Sequence, residues 1–364
     1  MNKFSNFLHT VFVEAVWQTF CVNWVWKTFF VAWVYQVFWK KIIVTKLHYD
    51  RWKGWIYLLP VLVLIAIFTV WPIFNTVRIA FLEDYNALDE IGGKKFQFGL
   101  GNFQYIITEN SKEFFIAMKN TVLLCVLTVP LSTAIALLIA VCLNAIKPLQ
   151  KTLQTIFFLP YVTNSLAIGM VFATMFDVIG GGNFLRPIPG QEPSYGLMNA
   201  LLGVFNISPI DWISQGASYG SQLTVMVIYI VWNALPFKIL VLLGGLQSIN
   251  KQYYDAARID GASRTRIFFR VTVPLLSPMI AYVVITGFIG GFKEYTSVVG
   301  IFGDQMGPVG QRNPGSMQTM VGMIYDAIAD NSTGYASAAA LILFALIFVV
   351  TMINLRVSKK KTHY

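Results

Sequence analysis

Six stretches of this chain contain no Asp, Glu, Lys or Arg: 54–77, 120–146, 152–176, 212–237, 271–292 and 331–355. A helix needs roughly 20 apolar residues to cross the hydrocarbon core of a bilayer. Lipid offers no hydrogen bonds, so each crossing must be a helix that satisfies its own backbone. The pattern therefore predicts six spanning helices over about 55–78, 120–143, 152–176, 221–246, 275–298 and 334–356. A further charge-free window, 193–210, is interrupted by Pro193, Gly196, Asn199, Gly203, Asn206 and Pro209. Its apolar part is too short to span, and it reads as an external surface helix.

The long polar loops 79–119, 177–220 and 299–333 fall on one side of this arrangement, and the short loop 144–151 on the other. Prolines lie within the spans at Pro60, Pro72, Pro130, Pro160, Pro236 and Pro278. Each removes a backbone donor and can kink its helix. Membrane helices tolerate proline in any case, so these residues alone assign no function.

Residues 13–39 form three nonapeptides, beginning at Val13, Val22 and Val31, each rich in Trp and Phe. Nine residues are two and a half helical turns, so successive repeats are rotated by about half a turn. Polar positions then fall on several faces, unlike a clean amphipathic helix. A small-residue cleavage site of the signal-peptide kind is also missing. An extra span and an interfacial helix both fit. Glu14, Lys27 and the many Trp favour the interface.

Composition agrees with a membrane chain: 56% of the 364 residues are hydrophobic and 12% charged, against about 25% charged in soluble domains. The net charge of +10 matters less than its placement. One side of the predicted topology collects Lys40, Lys41, Lys46, Arg51, Lys53, Lys147, Lys151, Lys251, Arg258, Arg264, Arg266, Arg270, Arg356, Lys359, Lys360 and Lys361. The positive-inside rule makes that side cytoplasmic, together with the C-terminus. Nucleic-acid binding would need a basic face on a soluble fold, which is missing. Cys21, Cys125 and Cys142 have no paired spacing, so neither metal nor disulfide framework is indicated. His9, His48 and His363 are scattered toward the ends, which argues against a membrane enzyme, and no catalytic residue is assigned.

Ionisable residues inside spans are costly and are functional candidates. Lys238 lies toward the inner end of the fourth span, where it can snorkel to the interface. Glu294 lies toward the outer end of the fifth, at a different depth, so the two are not expected to pair. Asn164, Trp232, Asn233, Glu294 and Tyr295 are candidates for a substrate pathway, offering stacking faces and hydrogen bonds to a sugar.

The segment 248–275 carries the strongest signal. Asn250 can cap a helix that begins Lys251-Gln252-Tyr253. Asp255 precedes Arg258 by three residues, a favourable spacing. Gly261 is a natural stop, and a second helix from about Ser263 runs into Pro274. The result is a short cytoplasmic helix held between two spans. Ala256, Ala257, Gly261 and Ala262 give it a low profile, and Tyr253 and Tyr254 are anchors of the hot-spot type.

This segment resembles the EAA loop of ABC-importer permeases: Glu-Ala-Ala, three residues, Gly, nine residues, Ile, one residue, Leu-Pro. Here the matching positions are Asp255-Ala256-Ala257, Gly261, Val271, Val273 and Pro274. Asp replaces Glu, and Val replaces Ile and Leu; the shorter Asp255 alters the reach of any ion pair. Leu246-Gln247-Ser248-Ile249, Asp260-Gly261-Ala262, Gly334-Tyr335-Ala336-Ser337-Ala338 and, in part, Gly307-Pro308 are similar to the carbohydrate, maltose-permease-like branch. The resemblance covers about 55–356.

It implies an all-α membrane protein: a six-span type I importer transmembrane domain over 55–356, an N-terminal aromatic and basic segment over 1–54, and a basic tail over 357–364. It also implies that Tyr254, Asp255, Ala256, Ala257, Arg258, Asp260, Gly261, Ala262 and Pro274 dock a separate ATPase. The chain would be a multi-pass subunit of a bacterial inner membrane, contacting lipid and no nucleic acid. Its partners would be a second homologous permease, two ATP-binding cassette subunits and an extracellular solute-binding protein delivering a sugar or oligosaccharide. No cofactor would bind directly, since ATP-Mg belongs to the ATPases; GxxxxGK[ST] is missing from this chain. A permease for a polyol or phosphorylated sugar would share the loop. A secondary transporter would need ion-coupling charges and repeated spans, and the sequence offers neither.

Overall fold

A computed structural model describes residues 50–83, 85–86, 90, 95–146, 150–179, 182–183, 186–187, 194–214, 216–308 and 315–361. The readings of the aromatic repeat at 13–39 lie outside these residues. The chain divides into two compact units, Met1–Asn75 and Thr76–Tyr364.

In the first unit, α1 (Asp50–Ile65) passes through a π turn at Ala66–Val70 into α2 (Trp71–Ala80), which crosses the boundary. Hydropathy marks Tyr57–Ala80 as one spanning segment.

In the second unit, α3 (Gly101–Thr108) precedes the long α4 (Ser111–Ala145). Next come α5 (Gln150–Val162), α6 (Ser165–Phe176) and the short α7 (Leu197–Val204). Then follow α8 (Tyr219–Ser248), α9 (Lys251–Ile259), α10 (Arg264–Ile267), α11 (Val273–Leu275) and α12 (Ser277–Gly291). The unit ends with α13 (Thr296–Phe302), α14 (Met320–Ala329) and α15 (Thr333–Lys361). Helices dominate, as expected. The exceptions among the described residues are an isolated bridge, Leu82 to Phe98, and two antiparallel ribbons between α6 and α7. The ribbons pair β1 (Val178–Ile179) with β4 (Ser194–Tyr195), and β2 (Gly182–Asn183) with β3 (Arg186–Pro187).

Against the six expected spans, four helical segments among the described residues are long and apolar enough to cross a membrane, Tyr57–Ala80, Ser111–Ala145, Tyr219–Ser248 and Thr333–Ser358, together with one bent pair. That pair, Arg264–Leu275 and Ser277–Gly291, turns by 67°. The expected third span is split instead into α5 and α6. The break has a local cause: Asn164 adopts extended backbone, and its side chain accepts from the Leu166 N–H, capping a new helix. The expected fifth span stops at Gly291, short of 298, and α13 restarts at Thr296.

Helices α4 and α8 run parallel through the centre. Tyr219 meets Asn120 at their starts, and Leu143 shares a core with Leu242 and Leu246 near their ends. Three buried clusters follow this axis. The first joins Ala117 and Cys125 of α4 to Met320 and Met323 of α14 and Ala338 and Ala339 of α15. The second joins Phe176, Val225, Tyr229 and Val298, and the third Ala136, Ala140, Leu242, Leu246 and Leu276. In the second, a Cβ on Gly169 would lie 2.8 Å from Gly300 Cα, so α6 and α13 touch backbone to backbone. Large apolar side chains such as Phe74, Leu138, Val171 and Phe348 remain exposed, as suits surfaces facing acyl chains or other membrane helices.

Candidate functional site

Helix α9 is capped at both ends by its own sequence. The Asn250 carboxamide oxygen accepts from the Gln252 N–H at 3.0 Å. At the other end the Gly261 N–H donates to Arg258 O, and the Ala262 N–H to Ala257 O. That is the double reverse bond of a Schellman stop, and it needs the positive φ of 69° found at Gly261. None of the helix is buried. Tyr253 is 56% and Ile259 87% exposed, an unusual setting for large apolar groups on a helix this short. Asp255 pairs with Arg258 at 3.5 Å, in an open setting where such pairs contribute little.

Both flanks of α9 are anchored in the same core. Upstream, a Cβ on Gly245 of α8 would collide with Leu276 Cδ1 at 2.6 Å and Met279 Cγ at 2.7 Å. Leu276, at the 67° bend, is itself buried in the third cluster beside Leu246. Pro274 follows a π turn at Phe268–Thr272 and precedes the bend at Leu276. The two ends of the segment that carries α9 are therefore packed against each other.

A cavity of about 310 Å³ lies among α4, α5, α8 and α12. Its lining includes Tyr161, Asn233, Phe237, Lys238, Thr286 and Glu294, with Gly287, Gly290 and Gly291 on one wall. Tyr161 and Phe237 stack with centroids 6.0 Å apart. Lys238 is not at the inner interface as its position suggested. It is 4% exposed and points into α4. Its Nζ donates to Ser132 Oγ at 2.7 Å, Thr133 Oγ1 at 3.0 Å and Val129 O at 3.2 Å. Gly287 makes room for it, since a Cβ there would stand 3.3 Å from Nζ. A buried ammonium is tolerated when its protons are all accepted, and here they are. Glu294 lines the same cavity, and Lys238 forms no ion pair with it.

The other pathway candidates divide. Asn233 lines the cavity with Glu294. Asn164 is committed to capping α6 and is exposed. Trp232 packs on Phe172 at 5.1 Å, and Tyr295 stacks on Tyr325 at 4.5 Å. These last three do not line the cavity.

A second cavity, of about 820 Å³, opens among α3, the start of α4, α14 and the start of α15. Its walls carry Glu83, Glu109, Glu113, Asp326 and Asp330 with Tyr85, Tyr105 and Tyr335. Gln318 donates to Glu113 at 2.9 Å and to Asp326 at 3.0 Å, and burial pushes the Asp326 carboxyl above its usual range. At the rim the Tyr85 hydroxyl donates to Glu90, and Arg78 pairs with Glu90 at 2.7 Å.

The profile of the binding-protein-dependent transport system inner membrane component family matches residues 132–363. The chain belongs to that family. It is 27% identical over 321 residues to the trehalose/maltose transport system permease protein MalF of Thermococcus litoralis, covering 87% of this chain and 97% of that one. It is 30% identical over 260 residues to the arabinooligosaccharides permease AraP of Halalkalibacterium halodurans, covering 71% and 74%. A bacterial ABC transporter that imports the acidic polysaccharide alginate shares its fold, with TM-score 0.66 at 20% identity over 90% of this chain and 99% of that one. The same alginate transporter, bound to its pentasaccharide-loaded periplasmic protein, gives 0.68 over 90% and 100%.

The matched region of this permease begins inside α4 and takes in the cavity helices, α9 and the bend. Sequence reasoning did not pick out Tyr161, Phe237 and Thr286 as lining residues. Uncharged residues in apolar helices carry no signal until the helices are packed together. Gly287, Gly290 and Gly291 did leave a trace, as a cluster of glycines in a span.

Proposed function

We propose that this permease is one of two homologous transmembrane subunits of an ATP-driven importer, passing a sugar or oligosaccharide received from an external binding protein. The observation that carries this reading is α9: a short, doubly capped helix with no buried residue, hung between two elements of one core cluster. Such a helix has no packing role in its own chain and suits a rigid docking lever. Two ATPase subunits closing on ATP would move α9 on the cytoplasmic face. The bend at Leu276 and the α8 contact would carry that motion to the cavity, an alternating-access change of the hinge type. The cavity wall is consistent with a sugar: aromatic faces for its C–H surface, and Asn233 and Glu294 for its hydroxyls. The sugar permeases among the relatives support the cargo class. The external segments, including the acidic cavity, would receive the binding protein.

A cysteine at Ala257 tests the docking role, with crosslinking in native membranes with and without ATP. An ABC ATPase captured there is the expected result. Capture of no partner by a correctly inserted chain would sink the docking role and return the secondary-transporter reading.

A further inference from the structure

We propose that Glu294 is the charge-selecting group of the translocation cavity: it admits uncharged sugars and excludes anionic ones such as uronates. The proposal rests on the sugar-permease reading above. Two residues of opposite formal charge line this cavity, and they differ in what remains available. Lys238 has three protons and three acceptors within the chain, at 2.7, 3.0 and 3.2 Å. It is 4% exposed, so it has no donor left for a ligand carboxylate. Its charge is enclosed by the α4 backbone and hydroxyls.

Glu294 is the reverse case. Its Oε1 accepts the Ser297 N–H at 3.3 Å, the Ser297 hydroxyl and the Tyr295 N–H also bond the carboxylate, and among the described residues no cation pairs with it. A carboxylate offers about four acceptor sites, so about one is left for a ligand in the cavity. Sugar hydroxyls are donors and can fill it. A ligand carboxylate cannot, and the like charges repel. Gly290 next to it leaves open space where a side chain would stand, so a ring can approach the carboxylate edge.

The test uses the permease assembled with its partner subunits, with Cys21, Cys125 and Cys142 replaced by Ala and Asn233→Cys as reporter. Trimethylammonium and sulfonate methanethiosulfonate reagents of matched size are the probes. Relative to a free thiol, the cationic reagent should react faster by on the order of tenfold. Glu294→Gln should collapse that preference, whereas Lys238→Met should leave it in place. A preference indifferent to Glu294→Gln, or one governed by Lys238, overturns the proposal. Thr286→Cys serves as a second reporter; if neither position reacts, the cavity is not a solvent pathway and the proposal fails. Uptake of neutral oligosaccharide is measured separately. A Glu294-dependent preference without sugar uptake would remove the sugar reading alone, and uptake without the preference would remove Glu294 alone.

Discussion

Lys238 Nζ lies 2.7 Å from Ser132 Oγ, across the interface between the two central helices. The bond ties α8 to α4 two residues beyond Pro130, where the α4 ladder lacks a donor. It holds a charge inside the protein without a countercharge.

That arrangement predicts an asymmetry. Ser132 and Thr133 also donate to carbonyls of their own helix, so Lys238→Met leaves each with a partner. Stability should change by no more than about 1 kcal/mol, because a buried charge disappears along with its bonds. The double change Ser132→Ala with Thr133→Val keeps the ammonium and strips two acceptors, and should cost about 3 kcal/mol or more. Thermal unfolding in detergent compares the two. Equal costs would show that Lys238 contributes as a carbon chain rather than as a donor.

Gly261 separates folding from docking. Nothing lies within 4 Å of a Cβ added there, but its φ is +69°. Gly261→Ala should cost about 1 kcal/mol in local helix-end stability and largely spare transport. Gly261→Asp tolerates that backbone better, yet brings bulk and charge to the proposed docking face. It should insert normally and lose coupled uptake by on the order of tenfold, the effect of about 1.4 kcal/mol at an interface. Full uptake by correctly inserted Gly261→Asp would remove the docking role.

Gly169 and Gly300 meet too closely for side chains. Gly169→Ala should force α6 from α13 and destabilise the chain by about 1–3 kcal/mol, the usual cost of overpacking. Gly203→Ala, exposed on α7 with open space around it, is the control and should not destabilise. Matching losses in the two variants would mean that the close approach does not constrain the fold.

The rim of the acidic cavity should respond to acid. The Tyr85 hydroxyl first, and Arg78 second, hold the Glu90 carboxyl below its usual range. A depressed carboxylate adds order that is present above its unfolded pKa and fades as pH falls through the lower folded value. Hydrogen exchange around Tyr85 and Phe96 should therefore quicken below about pH 4, and Glu90→Gln should remove that dependence. Exchange that stays flat with pH in the wild type would show that Glu90 does not order the rim.

Much of the local structure around 250–262 was legible in the residues themselves because its physics is local. Charge-free windows marked apolar segments, since a bilayer tolerates few charges. Asn250, Asp255, Arg258 and Gly261 described a capped helix through contacts one to five residues apart. Composition, loop charge and that loop were sufficient to point to a membrane permease. Tertiary packing decided the rest. The expected third span divides at Asn164, since a capping side chain there bonds the next turn. Lys238 is enclosed rather than snorkelled, because Ser132 and Thr133, more than a hundred residues earlier, supply acceptors that hydropathy cannot anticipate. Lys238 and Glu294, assigned to separate depths along their own helices, line one cavity only because α4, α8 and α12 pack around it. A neighbour distant in sequence contributes energy only once the chain has folded, so single-chain patterns reveal what each helix is and leave to packing what each side chain meets.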